Sequence, residues 1–218
     1  MTIKVSELVS LDGDRFPEAR FAMGLLYSFG YGVQKDDEAA FKCFLDAAQR
    51  GLPCAQYAVG VAYMTGRGIR RDYKAAADWY QQAADKRHPQ ALLELGLMYK
   101  LGKGVTKDYA VACSLFESAS KHGISLAITQ LAECYEFGRG VGTDIDRARG
   151  LYLDAAKIND RYSYGVHAVI SSLYRDGRAG FPIDPGESER WHKSSMKLVE
   201  ASLPDDDEIR KNLPPGID

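Results

Sequence analysis

The chain has 218 residues with 28 Lys and Arg against 30 Asp and Glu, a formal net charge of −2. That balance speaks against nucleic acid as the main partner, because phosphate binding needs a concentrated positive field, and against a polybasic membrane-surface role. No segment reaches the ~20 apolar residues of a membrane span, and Met1–Ser10 lacks the basic head and apolar run of a signal peptide, so a cytoplasmic protein with no membrane partner is expected.

Residues 1–18 read as an N-terminal cap segment, after which one unit recurs. Tyr27, Tyr63, Tyr99 and Tyr135 are each 36 residues apart. Each opens the pattern Y-x-x-G-x-G-[VI]-x-x-D, as in Tyr27, Gly30, Gly32, Val33 and Asp36. The small residues Ala40, Ala76, Ala112 and Ala148 share one register, as do the aromatics Phe44, Tyr80, Phe116 and Tyr152. Such self-similarity at a fixed period is the signature of a repeat architecture. The units run 19–54, 55–90, 91–126 and 127–165, with a degraded capping unit over 166–200 and a polar tail over 201–218. In the fifth unit Tyr174, Gly177 and Trp191 keep the internal spacing, and Tyr162–Gly165 are expected to be an insertion in the connecting loop.

Each unit predicts two helices. In helix A, Met23 and Tyr27, Val59 and Tyr63, Leu95 and Tyr99, and Leu131 and Tyr135 are spaced i, i+4, which makes one helical face. Gly24, Gly60 and Gly96 lie inside that helix, where Gly costs about 1 kcal/mol relative to Ala. Their recurrence predicts a close helix contact. Gly30, Gly66, Gly102 and Gly138 suit the left-handed residue after a helix end. Asp36, Asp72, Asp108 and Asp144 suit the cap of helix B.

These residues resemble the SEL-like repeat family, relatives of the tetratricopeptide repeat. The match is strong from Ala19 to Asn159 and weaker from Val166 to Leu198. The resemblance implies an all-α fold, a right-handed α/α superhelical solenoid of about five 36-residue helix-turn-helix repeats, and an adaptor that binds another protein or peptide segment without cofactor. It leaves the oligomeric state open. One secreted branch of the family carries a disulfide in each repeat and is linked to β-lactam binding. Here Cys43, Cys54, Cys113 and Cys134 recur at no common repeat position and form no C-x-x-C pair. Cys113 and Cys134 lie ten residues before and eleven after Gly123, at similar heights on antiparallel helices. Cys43 and Cys54 are offset by roughly 7 Å at 1.5 Å rise per residue. All four are expected to be small, buried and reduced.

Catalytic and metal chemistry find little support. The G-x-G pairs follow helices rather than strands, so they are turns and not a dinucleotide loop. Ser194-Ser195-Met196-Lys197 contains S-x-x-K, the acylating motif of penicillin-interacting enzymes, without K-T-G or S-D-N. His88, His122, His167 and His192 occupy different repeat positions with no ligand spacing. The alternatives to an adaptor are therefore a β-lactam-interacting, hydrolase-like or small-molecule-binding protein, and an inhibitor or immunity protein. Arg67, Arg70 and Arg71 cluster in one turn, with Lys103 and Lys107 in the next; solvated turns are the ordinary explanation.

In tetratricopeptide-like solenoids helix A lines the inner groove. The resemblance thus nominates the third, seventh and tenth helix A positions as partner-binding: Phe21, Leu25 and Ser28; Tyr57, Val61 and Met64; Leu93, Leu97 and Lys100; Thr129, Glu133 and Glu136. An apolar segment is expected against units one to three, its basic end meeting Glu133 and Glu136. The competing explanation is that the third and seventh positions pack between helices.

Overall fold

A computed structural model describes residues 16–202, which form ten helices. The chain divides into two compact units, Met1–His122 and Gly123–Asp218. The first holds α1 (Pro17–Phe29), α2 (Asp37–Gln49), α3 (Pro53–Thr65), α4 (Tyr73–Asp85), α5 (Pro89–Leu101) and α6 (Tyr109–Ser120). The second holds α7 (Ser125–Phe137), α8 (Ile145–Ala156), α9 (Ser163–Asp176) and α10 (Pro185–Ser202). Odd-numbered helices are helix A and even-numbered ones helix B, each packed on the next within its unit. The architecture is an all-α solenoid of helical repeats. The expected N-terminal cap segment and polar tail lie outside the described residues apart from 16–18 and 201–202.

Each hairpin is set by its own residues. Helices α1, α3 and α5 open on Pro17, Pro53 and Pro89, where the missing N–H costs nothing. They end on Gly30, Gly66 and Gly102 at φ 74°, 79° and 70°, in the left-handed region. The carbonyls of Tyr27, Tyr63, Tyr99 and Tyr135 then accept from the backbone N–H groups of Asp36, Asp72, Asp108 and Asp144, each at 3.0 Å. The same aspartates cap helix B: Asp72 accepts from Lys74 N at 2.9 Å and Ala75 N at 3.0 Å.

The hairpins close on a glycine and a ring. A Cβ at Gly60 would lie 2.5 Å from ring carbons of Tyr80, and one at Gly96 would lie 2.6 Å from Phe116. These rings are 1 % and 0 % exposed. Any side chain at the glycine would displace a buried aromatic.

The fifth hairpin departs from the expected register. The connection runs over 157–162, and Ser163–Gly165 already belong to α9. Asp184 supplies the fifth cap: it accepts from Glu187 N at 3.0 Å, and its N–H donates to Tyr174 O at 3.0 Å.

The cysteines require a correction. Cys113 and Cys134 are buried, and neither is a free thiol. Cys43 and Cys54 are free, half-buried and exposed respectively. The expectation of four buried, reduced thiols rests on a compartment default and not on position.

Candidate functional site

The nominated helix A positions separate by depth. At the third position the side chains belong to the packing. Phe21 lies 5.4 Å from the Phe44 ring. Tyr57 lies 5.7 Å from Tyr80 and stacks on His88 at 4.9 Å. Leu93 is 0 % exposed and Thr129 is 3 % exposed, its hydroxyl donating to Ser125 O at 2.9 Å. Leu93 is thus packed between helices, and Thr129 lies at the floor of a cleft in the second unit.

The seventh and tenth positions reach the surface. Leu25 is exposed, and Val61, Leu97 and Glu133 are half-buried. Ser28, Met64 and Lys100 are half-buried too. Ser28 and Val61 line a cleft of about 60 Å³ together with Phe41, Phe44, Thr65 and Arg67. In the second unit, Glu133 lines a cleft of about 260 Å³ with Gln130, Tyr162, Tyr164 and Val169, above the buried Thr129. Tyr162, Tyr164 and Val169 escaped the sequence reading because the longer connection displaces the register of the fifth unit.

Glu136, at the tenth position of the fourth unit, lies deeper than Ser28, Met64 and Lys100. It is 9 % exposed, and both carboxylate oxygens are committed inside the protein. The Tyr152 hydroxyl donates to one at 2.7 Å, and the Arg178 guanidinium donates to the other at 3.1 and 2.9 Å. Burial, reinforced by that hydrogen bond to Glu136, pushes the Tyr152 phenol far above its ordinary value. Glu136 is thus an internal anion whose two oxygens are held by Tyr152 and Arg178.

The S-x-x-K serine has a partner the sequence did not reveal. Ser194 Oγ lies 2.9 Å from His167 Nδ1, and His167 Nε2 lies 3.3 Å from Ala156 O. The carbonyl only accepts, so in the neutral tautomer that this contact selects Nε2 carries the hydrogen and the Ser194 hydroxyl donates to Nδ1. Trp191 meets the His167 ring edge-on at 5.0 Å. Ser194 sits within α10, where backbone N–H groups serve the helix and offer no donors to an oxyanion. Lys197 is exposed. The pair ties α10 to α9 and to the end of α8.

The other histidines divide between capping and surface. His88 caps α5, its Nδ1 accepting from Ala91 N at 3.3 Å, while His122 and His192 are exposed. Among the described residues, no group of His, Cys, Asp and Glu is placed to hold a metal, and no helix is long and apolar enough to cross a membrane.

The family model of the Sel1 repeat matches residues 17–52, 55–88, 89–124 and 125–160. No curated protein matches the sequence. Among solved structures, a Sel1 repeat protein from Oxalobacter formigenes is 30 % identical, with a TM-score of 0.78 over 89 % of this chain and 78 % of its own. The protective antigen c5321 of uropathogenic Escherichia coli strains, which displays an SLR fold, is 29 % identical with a TM-score of 0.72 over 86 % of this chain; the match spans 39 % of that protein. The immunity protein Pa5087 from Pseudomonas aeruginosa shares the fold at 20 % identity and a TM-score of 0.55, over 97 % of this chain and 80 % of its own. Sel1 repeat proteins generally mediate protein–protein interaction. The chain belongs to the Sel1 repeat family.

Proposed function

We propose that the protein is a non-enzymatic scaffold or adaptor that binds a segment of a partner protein on its helix A face. The observation that carries this reading is the pair of clefts described above: one between α1 and α3, lined by Ser28 and Val61, and one between α7 and α9, lined by Glu133 and Tyr164. Helical repeats create extended surfaces of this kind and need no catalytic group. Met64 adds an adaptable apolar contact in the first unit, and Glu133 adds a charge that orients a partner in the second.

Pull-down from native lysate followed by mass spectrometry tests the proposal, with Val61→Asp/Met64→Asp beside the wild type. Partners retained by the wild type and lost by the variant, at an unchanged melting temperature, support the helix A face. An identical partner set from both proteins overturns it.

A second reading is a serine hydrolase-like or β-lactam-interacting protein, favoured by the Ser194–His167 hydrogen bond. Labelling of Ser194 by a fluorophosphonate or a penicillin, abolished in Ser194→Ala, would establish it. No labelling of the wild type would dismiss it.

A further inference from the structure

We propose a second interaction surface, separate from the helix A face: the edge formed by the three A-to-B turns of the first unit, which receives an acidic, extended segment of a partner protein.

The turns form one continuous edge because each rests on the hairpin before it. Gly68, at φ 70°, lies where a Cβ would overlap the carbonyl oxygen of Asp37 at the start of α2. Gly104, at φ 71°, lies in the same way over the carbonyl of Tyr73 at the start of α4. Arg67 reaches back to Asp37 at 2.9 Å, and Lys103 lies 5.9 Å from the centre of the Tyr73 ring. Successive turns are therefore neighbours in space as well as in register.

Charge on this edge is unevenly compensated. The acids are already engaged. Asp36, Asp72 and Asp108 each accept from two N–H groups at a helix start. Asp37 pairs with Arg67, and Glu38 pairs with Lys42. Lys35, Arg70, Arg71, Lys74, Lys103 and Lys107 are all exposed, and none has an acidic partner among the described residues. Arg71 and Lys103 lie against the Tyr73 ring and Lys107 against Tyr109, which holds these cations at the surface without neutralising them. Lys35, Arg71 and Lys107 occupy one column, the residue before each capping aspartate. The fourth repeat has Thr143 there, so the column ends with the first unit.

The geometry suits separated carboxylates. Arg70 and Arg71 stand at an open cleft with Tyr63, Ile69 and Tyr73, and a guanidinium takes a carboxylate in two parallel hydrogen bonds. Asp72 shares that cleft, and its cap bonds temper its charge. Capping aspartates set between the cations, in a chain of net charge −2, disfavour a continuous phosphate backbone. An Asp- and Glu-rich peptide places charge only where the cations stand.

The test is fluorescence anisotropy with a labelled peptide of alternating glutamate and serine, titrated with the full chain at low salt. Arg70→Glu/Arg71→Glu and Lys103→Glu/Lys107→Glu are compared with Arg190→Glu/Lys193→Glu on α10, which changes the net charge equally. Each edge variant should bind at least about tenfold more weakly, the control should stay within about twofold, and molar salt should abolish binding. If an edge variant fails to fold by circular dichroism, the Arg70→Gln/Arg71→Gln pair carries the same comparison with a smaller loss. Val61→Asp/Met64→Asp should leave peptide binding unchanged, so this surface and the helix A face stand or fall separately. The proposal is overturned if the wild type does not bind, if the control loses as much as the edge variants, or if a labelled single-stranded oligonucleotide of equal charge binds more tightly than the peptide.

Discussion

Asp160 closes the N-terminus of α7 by accepting from both donors of Ser125, the backbone N–H at 2.9 Å and the hydroxyl at 2.6 Å. Ser125 stands where Pro53 and Pro89 begin the earlier A helices, so α7, unlike α1, α3 and α5, has a first N–H that needs a partner. The longer 157–162 connection delivers that partner. Ser125 is 0 % exposed, so Asp160→Ala would strand two buried donors. A loss of about 2–3 kcal/mol is expected from hydrogen bonds to a charged group. Chemical denaturation measures it. Placing proline at 125 in the Asp160→Ala background should recover part of the loss, because proline has no N–H to satisfy.

A second prediction concerns the turns between hairpins. Gly51, Arg87 and Gly123 share one register, with φ values of 89°, 60° and 70°. Only arginine has a Cβ to strain there. Arg87→Gly should therefore stabilise the fold, by up to about 1 kcal/mol once the entropy of glycine is set against the left-handed penalty. A pair of alanine substitutions separates strain from collision. Gly123→Ala meets nothing within 4 Å and should lose only the strain energy. Gly104→Ala has the same φ but overlaps the Tyr73 carbonyl and should lose markedly more. Equal losses in urea melts would contradict the stacking of turns.

The parts legible in the sequence are those whose cause is local. Asp72 caps the helix that begins at the next residue, and Gly66 ends one where it stands, so a repeated string of letters reports both. Asp184 performs the same task but lies ten residues after Tyr174 instead of nine, and one extra residue was enough to hide it. The Ser194–His167 bond spans 27 residues and the Arg178–Glu136 pair spans 42, and no periodicity encodes either. Leu93 and Leu97 look alike as letters. Only the packing of the neighbouring helix buries the first and leaves the second at the surface.

His88 gives the hairpin of α5 a pH dependence. Its Nδ1 accepts the Ala91 N–H, so the ring must be unprotonated, and burial holds its pKa below the ordinary 6.5. Protonation would also put a positive charge at a helix N-terminus. Above pH 6.5 both folded and unfolded states hold a neutral ring, and the full contribution is present. As pH falls below 6.5 the unfolded chain takes up the proton first, and stability declines until the folded ring also titrates. Leu52 and Ile124 occupy the same register without a side-chain cap. His88→Leu should thus flatten the stability profile across this window. A variant retaining the wild-type slope would assign that slope to other groups.

The two glutamates of α7 should behave oppositely. Glu133 lines the open cleft beside Tyr164, whereas Glu136 is enclosed by Tyr152 and Arg178. Glu136→Lys places a cation against the Arg178 guanidinium and removes the acceptor of a phenol that is 1 % exposed. A loss of about 1–3 kcal/mol follows from stranding the buried phenol, while the Arg178 guanidinium, 45 % exposed, keeps its access to water. Its effect on any partner would then come through unfolding, visible as a lowered melting temperature. Glu133→Lys should lower melting less than Glu136→Lys does and weaken a partner that presents a basic group to this cleft, chiefly through a slower association at low salt. Circular dichroism and binding kinetics on the two variants separate these outcomes. If Glu133→Lys melts as early as Glu136→Lys, the carboxylate at 133 is structural and the helix A face of the second unit loses its charged contact. If it melts normally and the partner's association rate is unchanged, the orienting charge lies elsewhere, and Tyr164 and Val169 are the contacts left to test.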